Sequence, residues 1–287
     1  MKKNPIGVFD SGYGGLTVLK EICATMPEYD FIYLGDNARA PYGPLPFETV
    51  YQYTLQCVKW FFEQGCSLVI LACNTASAKA LRNIQQKDLP NIDKTKRVLG
   101  VIRPTSELIG TFTNTKHIGI LATVGTVLSE SYLIETNKFF PEIAVVQEAC
   151  PEWVELVETG KQNTAEADFF VKMHLDKLME KDKNIDSILL ACTHYPLLIK
   201  KIKEHAAPGI KIIEQGKIVA TSLQKYLKKH EKIDNKCSKN SSRFFFTTGK
   251  KQDFDSHASL FFGEQVNVTE IIDINIKPTY TNGLKIL

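Results

Sequence analysis

Two stretches of this chain repeat the same ending, and each ending delivers a cysteine. The apolar run 69–72 leads into Cys73, and the apolar run 188–191 leads into Cys192, 192 − 73 = 119 residues later. Such runs are typical of strands buried in a parallel sheet, and α/β proteins bind ligands just beyond the carboxyl ends of these strands. The repeat therefore predicts two related half-structures whose thiols face one cleft from opposite sides.

A second repeat supports an internal duplication. Residues 6–11 read Ile-Gly-Val-Phe-Asp-Ser and residues 118–123 read Ile-Gly-Ile-Leu-Ala-Thr, at an offset of 118 − 6 = 112. Chance similarity between strand-like runs is the alternative, but two matches at nearly one spacing favour duplication. The copies differ in a chemically important place, because Asp10 of the first corresponds to Ala122 of the second.

Short apolar runs alternate with amphipathic stretches along most of the chain, which is the pattern of an α/β protein. The predicted fold is two pseudo-symmetric parallel-sheet α/β domains with the active site between them. The predicted strands are residues 6–9, 31–34, 68–71, 98–101, 118–121, 144–147, 188–190, 210–213, 244–247 and 267–271. Helices are predicted at residues 47–64, 165–181 and 218–229, among others.

The duplicated unit ends before the chain does. Residues 1–98 are predicted to form the first domain and residues 99–209 the second, while residues 210–287 return to complete the first. The stretch 225–243 carries seven basic residues. A nucleic-acid patch usually adds aromatic residues and glycine, so this stretch is interpreted as a solvated helix end and loop.

Composition excludes several classes of protein. The 287 residues are 44% hydrophobic and 23% charged, and 35 basic against 32 acidic residues give a net charge of only +3. That charge is too small to favour a nucleic acid or a membrane surface as partner, and no run approaches the roughly 18 apolar residues of a membrane helix. The first residues do not resemble a signal peptide, so a cytoplasmic protein is expected.

Seven cysteines are present, and none stands in a C-x-x-C pair. Their irregular spacing argues against a disulfide framework and a structural zinc site, so reduced thiols and no metal are expected. Cys23, Cys57 and Cys66 lie in or beside apolar, helix-like stretches and are interpreted as core residues. Cys237 lies in a polar stretch and is interpreted as exposed.

A glycine-rich loop follows the first strand. Asp10 and Ser11 precede Gly12 and Gly14, and glycines between a strand and a helix let a ligand approach the backbone. The loop is not a dinucleotide fingerprint, because Thr17 stands where the third glycine should be. A tight turn is the alternative, but two polar side chains at the strand end favour a ligand loop.

Two further strand ends carry polar residues. Residues 36–43 are rich in turn formers, so a plain turn and a ligand loop are equally supported. Within residues 150–158, Glu152, Glu155 and Glu158 are expected to share one helix face. A solvated acidic face is the default interpretation, and the alternative is that one of these glutamates turns into the cleft as a proton-relay acid.

The two strand-end thiols are the main candidates for chemistry. Cys73 and Cys192 each precede a predicted helix start, where exposed N–H groups lower the pKa of a thiol. One such cysteine would suggest a hydrolase nucleophile, which needs a single Cys–His pair. Two equivalent thiols suit a reaction that must reach both faces of one carbon. Zinc fits poorly, because these thiols and His194 lack an obvious fourth ligand.

In these residues the chain resembles the glutamate racemases of the aspartate/glutamate racemase superfamily. The resemblance runs in order from residue 6 to about residue 230, and its motifs are residues 10–18, 36–43, 72–77, 122–126, 150–158 and 191–196. It implies a cofactor-free enzyme that interconverts L- and D-glutamate for peptidoglycan synthesis. It also implies two pseudo-symmetric domains that enclose the site and commonly form a homodimer.

The resemblance also implies roles for individual residues. The catalytic residues it implies are Cys73, Cys192, Asp10, His194 and Glu158, with the last three as helpers of the thiols. The substrate contacts it implies are Asp10, Ser11, Tyr42, Gly43, Asn74, Thr75, Thr193 and His194. One departure lies at the domain junction, where many members have Glu-Pro and this chain has Arg103 before Pro104. No substrate contact is carried over to that junction.

The physical chemistry of racemisation is consistent with this implication. The reaction needs a base and an acid on opposite faces of the α-carbon, and a thiol suits both roles because its pKa lies near the operating pH. One cysteine is expected to be thiolate and the other thiol in each productive complex. The backbone N–H groups that follow Ser11, Asn74 and Thr193 are expected to stabilise the developing charge.

Three alternatives stay open on the residues alone. The first is an aspartate racemase or another two-thiol isomerase on the same scaffold. The second is a non-catalytic protein that binds small acids and has kept the fold. The third is a cysteine hydrolase.

Overall fold

The computed structural model describes residues 4–274. Its strands are β1 Ile6–Asp10, β2 Phe31–Gly35, β3 Leu68–Leu71, β4 Arg97–Gly100, β5 His117–Ala122, β6 Ala144–Ala149, β7 Ser187–Ala191, β8 Lys211–Ile213, β9 Arg243–Thr247 and β10 Glu270–Ile271. Its α-helices are α1 Leu16–Thr25, α2 Phe47–Glu63, α3 Asn74–Lys79, α4 Leu81–Asn83, α5 Leu89–Ile92, α6 Ile102–Ser106, α7 Val124–Leu128, α8 Ser131–Phe139, α9 Glu152–Glu158, α10 Ala165–Lys181, α11 Ile199–His205, α12 Gly216–Lys229, α13 Glu231–Asp234 and α14 Lys251–Phe262. Short 3-10 segments lie at Asn37–Arg39, Ile109–Thr111 and Tyr195–Leu198, and a π-helical segment lies at Ile84–Asp88. All ten predicted strands are confirmed, with ends that shift by a few residues.

Two parallel sheets form the framework, and their strand orders repeat. The larger sheet has the order β10-β9-β2-β1-β3-β4, and the smaller sheet has the order β6-β5-β7-β8. The order β2-β1-β3-β4 therefore recurs as β6-β5-β7-β8, with β1 matching β5 and β3 matching β7. The two sequence repeats fall on these matching strands, so the predicted duplication agrees with the topology.

The strand register brings the two cysteines to equivalent places. Leu71, two residues before Cys73, pairs with Phe9 of β1. Ala191, directly before Cys192, pairs with the last residue of β5. Each thiol therefore leaves its sheet at the carboxyl edge, beside the end of the central strand of its own half.

The predicted domain boundaries need correction at two strands. β4 pairs with β3 from Arg97 to Gly100, so the first sheet extends past the predicted boundary at residue 98. β8 pairs with β7, so residues 211–213 belong to the second sheet and do not return to the first domain. The reason is the duplication itself, since β8 is the counterpart of β4.

The chain returns to the first half after β8. α12 packs against α1, and β9 pairs with β2 in the larger sheet. Residues 275–287 of the segment that was predicted to complete the first domain lie outside the described residues. Apart from the two corrected strands, the division into domains stays a prediction.

Helix α2 illustrates how close packing positions an element on the first sheet. The helix begins after Pro46 and ends before Gly65, whose φ of 92° is a left-handed value that suits glycine. Phe61 on its buried face packs against Gly7 of β1, where a Cβ would lie only 2.6 Å from the ring. Among the helices of residues 4–274, none is long and apolar enough to cross a membrane.

All seven cysteines are free and buried. The burial of Cys23, Cys57 and Cys66 is confirmed, but the predicted exposure of Cys237 is wrong, since only 7% of its surface is exposed. The polar stretch around Cys237 is held against the first sheet, because Ser238 exchanges backbone hydrogen bonds with Asn4 and Asp30.

Candidate active site

A small, narrow cavity lies between the carboxyl ends of the two sheets. Its volume is about 20 Å³, which is room for about one water molecule. It is lined by Ser11, Ala40, Pro41, Tyr42, Gly43, Cys73, Asn74, Thr75, Thr123, Val154, Glu158, Cys192, Thr193 and His194. Every predicted site residue except Asp10 lines this cavity. A larger open groove of about 1430 Å³ is lined by Gly43, Lys79 and Arg103, among others. Neither Cys73 nor Cys192 lines this groove.

Cys73 is held at the start of α3 on the first-half wall of the cavity. Its Sγ accepts a hydrogen bond from the backbone N–H of Ala76 at 3.4 Å and donates to Ser11 Oγ at 3.6 Å. Only 6% of the residue is exposed. The predicted position at a helix N-terminus is therefore confirmed.

The predicted lowering of the Cys73 pKa is wrong. Burial and, to a smaller extent, the nearby Asp10 carboxylate raise this pKa to about 12, because the bonds from Ala76 and Ser11 offset them only in part. In this buried site the loss of water outweighs the helix N-terminus. Cys73 is therefore a thiol at neutral pH.

Cys192 lines the cavity from the second half and has a different neighbour. The segment after it begins with a 3-10 turn, Tyr195–Leu198, instead of an α-helix, so the predicted α-helix start is not found there. Its Sγ lies 3.9 Å from His194 Nδ1, and His194 Nε2 lies 2.9 Å from Glu158 Oε1. Cys192 and His194 are buried, whereas 26% of the Glu158 side chain is exposed. The three side chains form a path from the buried thiol toward solvent.

The imidazole of His194 carries a proton at neutral pH. Burial lowers its pKa, but the contacts with Cys192 and Glu158 outweigh burial and raise the pKa to about 10. A protonated His194 can stabilise a thiolate at Cys192 and can return a proton to it.

Asp10 lies behind the cavity and joins the two halves. Its Oδ1 accepts from the Gly12 N–H at 2.9 Å, and its Oδ2 accepts from Thr193 Oγ1 at 3.3 Å. Burial raises its pKa, although His194 and the hydrogen bonds act in the opposite direction. The N–H that follows Ser11 is thus engaged by Asp10, so its predicted role in stabilising substrate charge is not supported.

The three glutamates of α9 do not share one face. Glu152 contacts His174 Nε2 at 2.8 Å, Glu155 is exposed, and Glu158 lines the cavity. At about 100° per residue, six residues place Glu152 and Glu158 about 120° apart around the helix. The helix therefore turns one glutamate into the cleft, as the alternative interpretation predicted.

Residues 36–43 form part of the cavity wall, so the ligand-loop interpretation is favoured over a plain turn. Tyr42 donates its hydroxyl hydrogen bond to Asp36, and Arg39 Nε lies 2.5 Å from the same carboxylate. At Gly43 a Cβ would lie 3.3 Å from Thr123 Cβ, so the loop reaches the second half closely. The buried Asp36 carboxylate thus holds the loop in place through its contacts with Tyr42 and Arg39.

The side chains of Asn74 and Thr75 contact protein groups of other elements. Thr75 Oγ1 lies 2.9 Å from Thr123 Oγ1, and the Asn74 amide bonds Gln215 and Tyr132. Their backbone N–H groups are in the first turn of α3, where no intrahelical acceptor exists. The groups of α3 that are available to bind a ligand are therefore these backbone N–H groups, more than the side chains.

Four lining residues were not predicted as site residues, namely Ala40, Pro41, Thr123 and Val154. Thr123 could have been found, because it corresponds to Ser11 at the offset of 112 in the second repeat. Val154 lies one helical turn before Glu158, and its apolar side chain gave no indication in the sequence that it lines a site. Arg103 at the junction is largely exposed and pairs with Glu107 at 2.8 Å.

Comparison with known proteins gives consistent findings. The profile of the Asp/Glu/hydantoin racemase family matches residues 11–223. A glutamate racemase from Bacillus cereus is 40% identical, over 94% of this chain and 98% of its own length.

Solved structures agree with the sequence comparison. A glutamate racemase isoform from Bacillus anthracis superposes with a TM-score of 0.85 at 34% identity, covering 95% of this chain and 98% of the other. A glutamate racemase from Francisella tularensis in complex with D-glutamate has a TM-score of 0.84 at 30% identity, covering 96% and 99%. The two-domain α/β fold of these neighbours is the fold of this chain.

Proposed function

The chain belongs to the Asp/Glu/hydantoin racemase family, and from that premise we propose that it interconverts L- and D-glutamate by a two-cysteine mechanism without a cofactor. Cys73 and Cys192 exchange protons with the α-carbon from opposite faces. The observation that carries this proposal is that two buried thiols from equivalent strands line one narrow cavity. Racemisation needs this arrangement, because the incoming proton must arrive on the face opposite the outgoing one.

The resting protonation states follow from the two environments. Cys73 is a thiol, since its pKa is raised to about 12. Cys192 lies beside a protonated His194 and takes the role of the base. In one direction Cys192 removes the α-proton, and Cys73 then delivers its own proton to the other face of the carbanion. The enzyme is left with the reverse protonation pattern.

The reverse direction needs a Cys73 thiolate, which the substrate itself helps to supply. The ammonium of a bound amino acid brings positive charge next to Asp10 and Cys73. A nearby positive charge favours the thiolate and offsets part of the cost of burial. Asp10 orients this ammonium and thereby links substrate binding to the ionisation of Cys73.

Most of the barrier must be lowered by stabilising the carbanion, because an amino-acid Cα–H is a very weak acid. The substrate carboxylate accepts the developing charge, and the first-turn N–H groups of Asn74 and Thr75 are its donors, together with Thr193. Fixed donors in a site without bulk water stabilise such charge strongly. The predicted contacts Ser11, Tyr42 and Gly43 line the remaining part of the cavity and hold the side-chain carboxylate.

The small volume of the cavity implies an opening step. A cavity of about 20 Å³ holds one water, whereas glutamate needs several times that room. The halves must separate to admit the substrate and then close around it, which excludes water from the carbanion. Within residues 4–274 the chain crosses between the sheets near residues 101 and 214, so the two halves can pivot there.

The cellular role is part of the same proposal. Free D-glutamate is a building block of peptidoglycan, and a cytoplasmic homodimer that supplies it is what the resemblance implies. The weak net charge of +3 gives no reason to expect a nucleic acid or a membrane as partner.

Incubation of the purified protein with L-glutamate in heavy water tests this function. We expect loss of optical rotation together with deuterium at the α-carbon, without added pyridoxal phosphate. L-Aspartate in a parallel reaction should react far more slowly; faster reaction of aspartate would favour the aspartate racemase alternative. Release of product from an amide or ester without racemisation would instead indicate a cysteine hydrolase.

A further inference from the structure

A closed ring of three hydrogen bonds lies next to the start of α3. Asn74 Nδ2 donates to Gln215 Oε1 at 2.8 Å, Gln215 Nε2 donates to Tyr132 OH at 2.6 Å, and Tyr132 OH donates to Asn74 Oδ1 at 2.6 Å. Each member of this amide–phenol ring donates once and accepts once around the circle. All three residues are at least 96% buried. Such a ring fixes the orientation of every group in it, because no member can rotate without breaking two bonds.

The ring joins elements that belong to different parts of the molecule. Asn74 follows Cys73 in the first half, and Tyr132 lies on α8 in the second half. Gln215 lies where the chain crosses back from β8 to α12. Gln215 Nε2 also donates to Thr105 Oγ1 at 3.0 Å, and Thr105 lies on α6, where the chain crosses from the first sheet to the second. The ring therefore lies at both places where the chain crosses between the sheets. One of its members, Asn74, directly follows the candidate catalytic residue Cys73.

The ring also changes the role of Asn74. One donor and one acceptor of its amide are committed to Gln215 and Tyr132. If this amide were a primary substrate ligand, the ring would have to break at each binding event, and buried polar groups would lose their partners. The function of the amide is therefore to anchor α3, while the backbone N–H faces the ligand.

We propose that Tyr132 and Gln215 are positioning residues, which hold the start of α3 and thereby set the position of Cys73 relative to the second half. The proposal rests on the proposed function for its effect on turnover. Proton transfer between sulfur and carbon is very sensitive to distance, and a misplacement of about 1 Å can cost on the order of 100-fold in rate. Neither side chain lines the cavity, and both reach the start of α3 through their hydrogen bonds with Asn74.

The test compares Tyr132→Phe and Gln215→Met with a matched control. Tyr132→Phe removes one hydroxyl and leaves the aromatic packing unchanged. Tyr29→Phe is the control, because Tyr29 is also buried and donates one hydroxyl hydrogen bond, to Asp234 at 2.6 Å, far from the cavity. The full-length variants are assayed for kcat, KM and the isotope effect with α-deuterated glutamate. Backbone hydrogen exchange of residues 73–79 is measured in the same preparations, and thermal unfolding confirms that each variant is folded.

We expect both ring variants to lose about 10- to 100-fold in kcat with little change in KM. The isotope effect should rise, since proton transfer to or from Cys73 becomes more rate-limiting, and the amides of residues 73–79 should exchange faster. Tyr29→Phe should lower the stability of the protein without lowering kcat. Either ring variant suffices, so the failure of one to fold does not stop the test.

The proposal is overturned if a folded ring variant keeps the wild-type kcat or the wild-type exchange at residues 73–79. It is also overturned if Tyr29→Phe loses kcat to the same extent, since the ring would then contribute only general stability. Faster exchange in a protein whose wild type does not racemise glutamate would support the anchoring role and refute the proposed function. The two failures are therefore distinguishable.

Discussion

The two halves of the molecule share a backbone plan but surround their thiols differently. Cys73 faces Ser11 and a backbone N–H, and burial together with the Asp10 carboxylate raises its pKa. Cys192 faces His194, which pairs with Glu158 near solvent. The repeated topology thus places two strand-end thiols equivalently, and the side chains around them give them different hydrogen-bonding and charged neighbours.

In the proposed two-cysteine mechanism this difference is useful, because the enzyme must begin each direction with one acid and one base. Two identical environments would leave both thiols protonated or would share one proton between them at random. At the offset of 119, Thr75 corresponds to His194, so a neutral hydroxyl in one half stands where a titratable ring stands in the other. The cost is that the enzyme must reset its protons after each turnover. The His194–Glu158 pair offers the path to solvent for that step.

The largest expected effect comes from removing either thiol. Cys73→Ser and Cys192→Ser should each lower racemisation by about 1,000-fold or more, because a serine hydroxyl is a far weaker acid than a thiol. The measurement is optical rotation with each enantiomer of glutamate. Cys237→Ser is the matched control, since its Sγ donates to the Ile233 carbonyl at 3.3 Å and a serine can make the same bond.

These two variants also test whether the thiols act on opposite faces. Each variant keeps one thiol and should exchange the α-proton of only one enantiomer for deuterium, without inversion. The enantiomer should differ between Cys73→Ser and Cys192→Ser. Exchange of the same enantiomer by both variants would contradict the opposed arrangement.

The next effect concerns Asp10, which has no counterpart in the second half. Asp10→Asn should lower kcat by about 100-fold, because the ammonium loses its charged partner. The same change should raise the melting temperature. The folded-state pKa of Asp10 is raised by burial, so its charged form opposes folding at every pH above the unfolded value of about 4.

Asp30→Asn is the matched control for this prediction. Asp30 is also buried, but hydrogen bonds from Ser238, Ser242 and Asn240 outweigh burial and lower its pKa to about 2. Its contribution to stability is therefore present above pH 4 and is lost as the pH falls through about 2. Asp30→Asn should lower the melting temperature and keep kcat. A fall in melting temperature for Asp10→Asn would refute the stated cost of the buried charge.

The smallest effect concerns Glu158, which is the member of the Cys192–His194–Glu158 path nearest to solvent. Glu158→Gln should lower kcat by about 10-fold and move the alkaline limb of the kcat/KM profile to lower pH. The His194 pKa of about 10 depends on Glu158 as well as Cys192, and the protonated ring is lost earlier on the pH scale when the carboxylate is removed.

Glu152→Gln is the control for Glu158→Gln. Glu152 lies on the same helix and also contacts a histidine, His174, at 2.8 Å, but it lies outside the cavity. Its pH profile should match that of the wild type. An unchanged alkaline limb in Glu158→Gln would show that His194 does not depend on this carboxylate.

Much of the fold could be predicted because its signals are local. A short run of strand-forming residues, most often apolar, predicts a parallel strand, and each of the ten predicted runs contains one. The errors at β4 and β8 arose because pairing partners are chosen across the sheet. No local pattern states that residues 211–213 pair with β7.

The candidate site could be predicted in its residues but not in its electrostatics. Strand ends and the resemblance identified eleven of the residues in and behind the cavity, namely ten that line it and Asp10. The predicted direction of the Cys73 pKa shift, in contrast, was wrong. A thiol at a helix N-terminus is acidic in water, and only the tertiary structure reveals that water is excluded. Likewise, the face of α9 that enters the cleft depends on where the helix packs.

The sequence by itself determined that this protein would carry two equivalent thiols at the ends of two parallel strands, because strand pattern and duplication are written in adjacent residues. The tertiary structure decided that one thiol would be dry and protonated and that the other would lie beside an imidazolium. It also decided that Asn74 would anchor a helix through Tyr132 and Gln215. Burial and hydrogen-bond partners are set by residues far apart in the chain, and these long-range contacts make two similar strand ends chemically different.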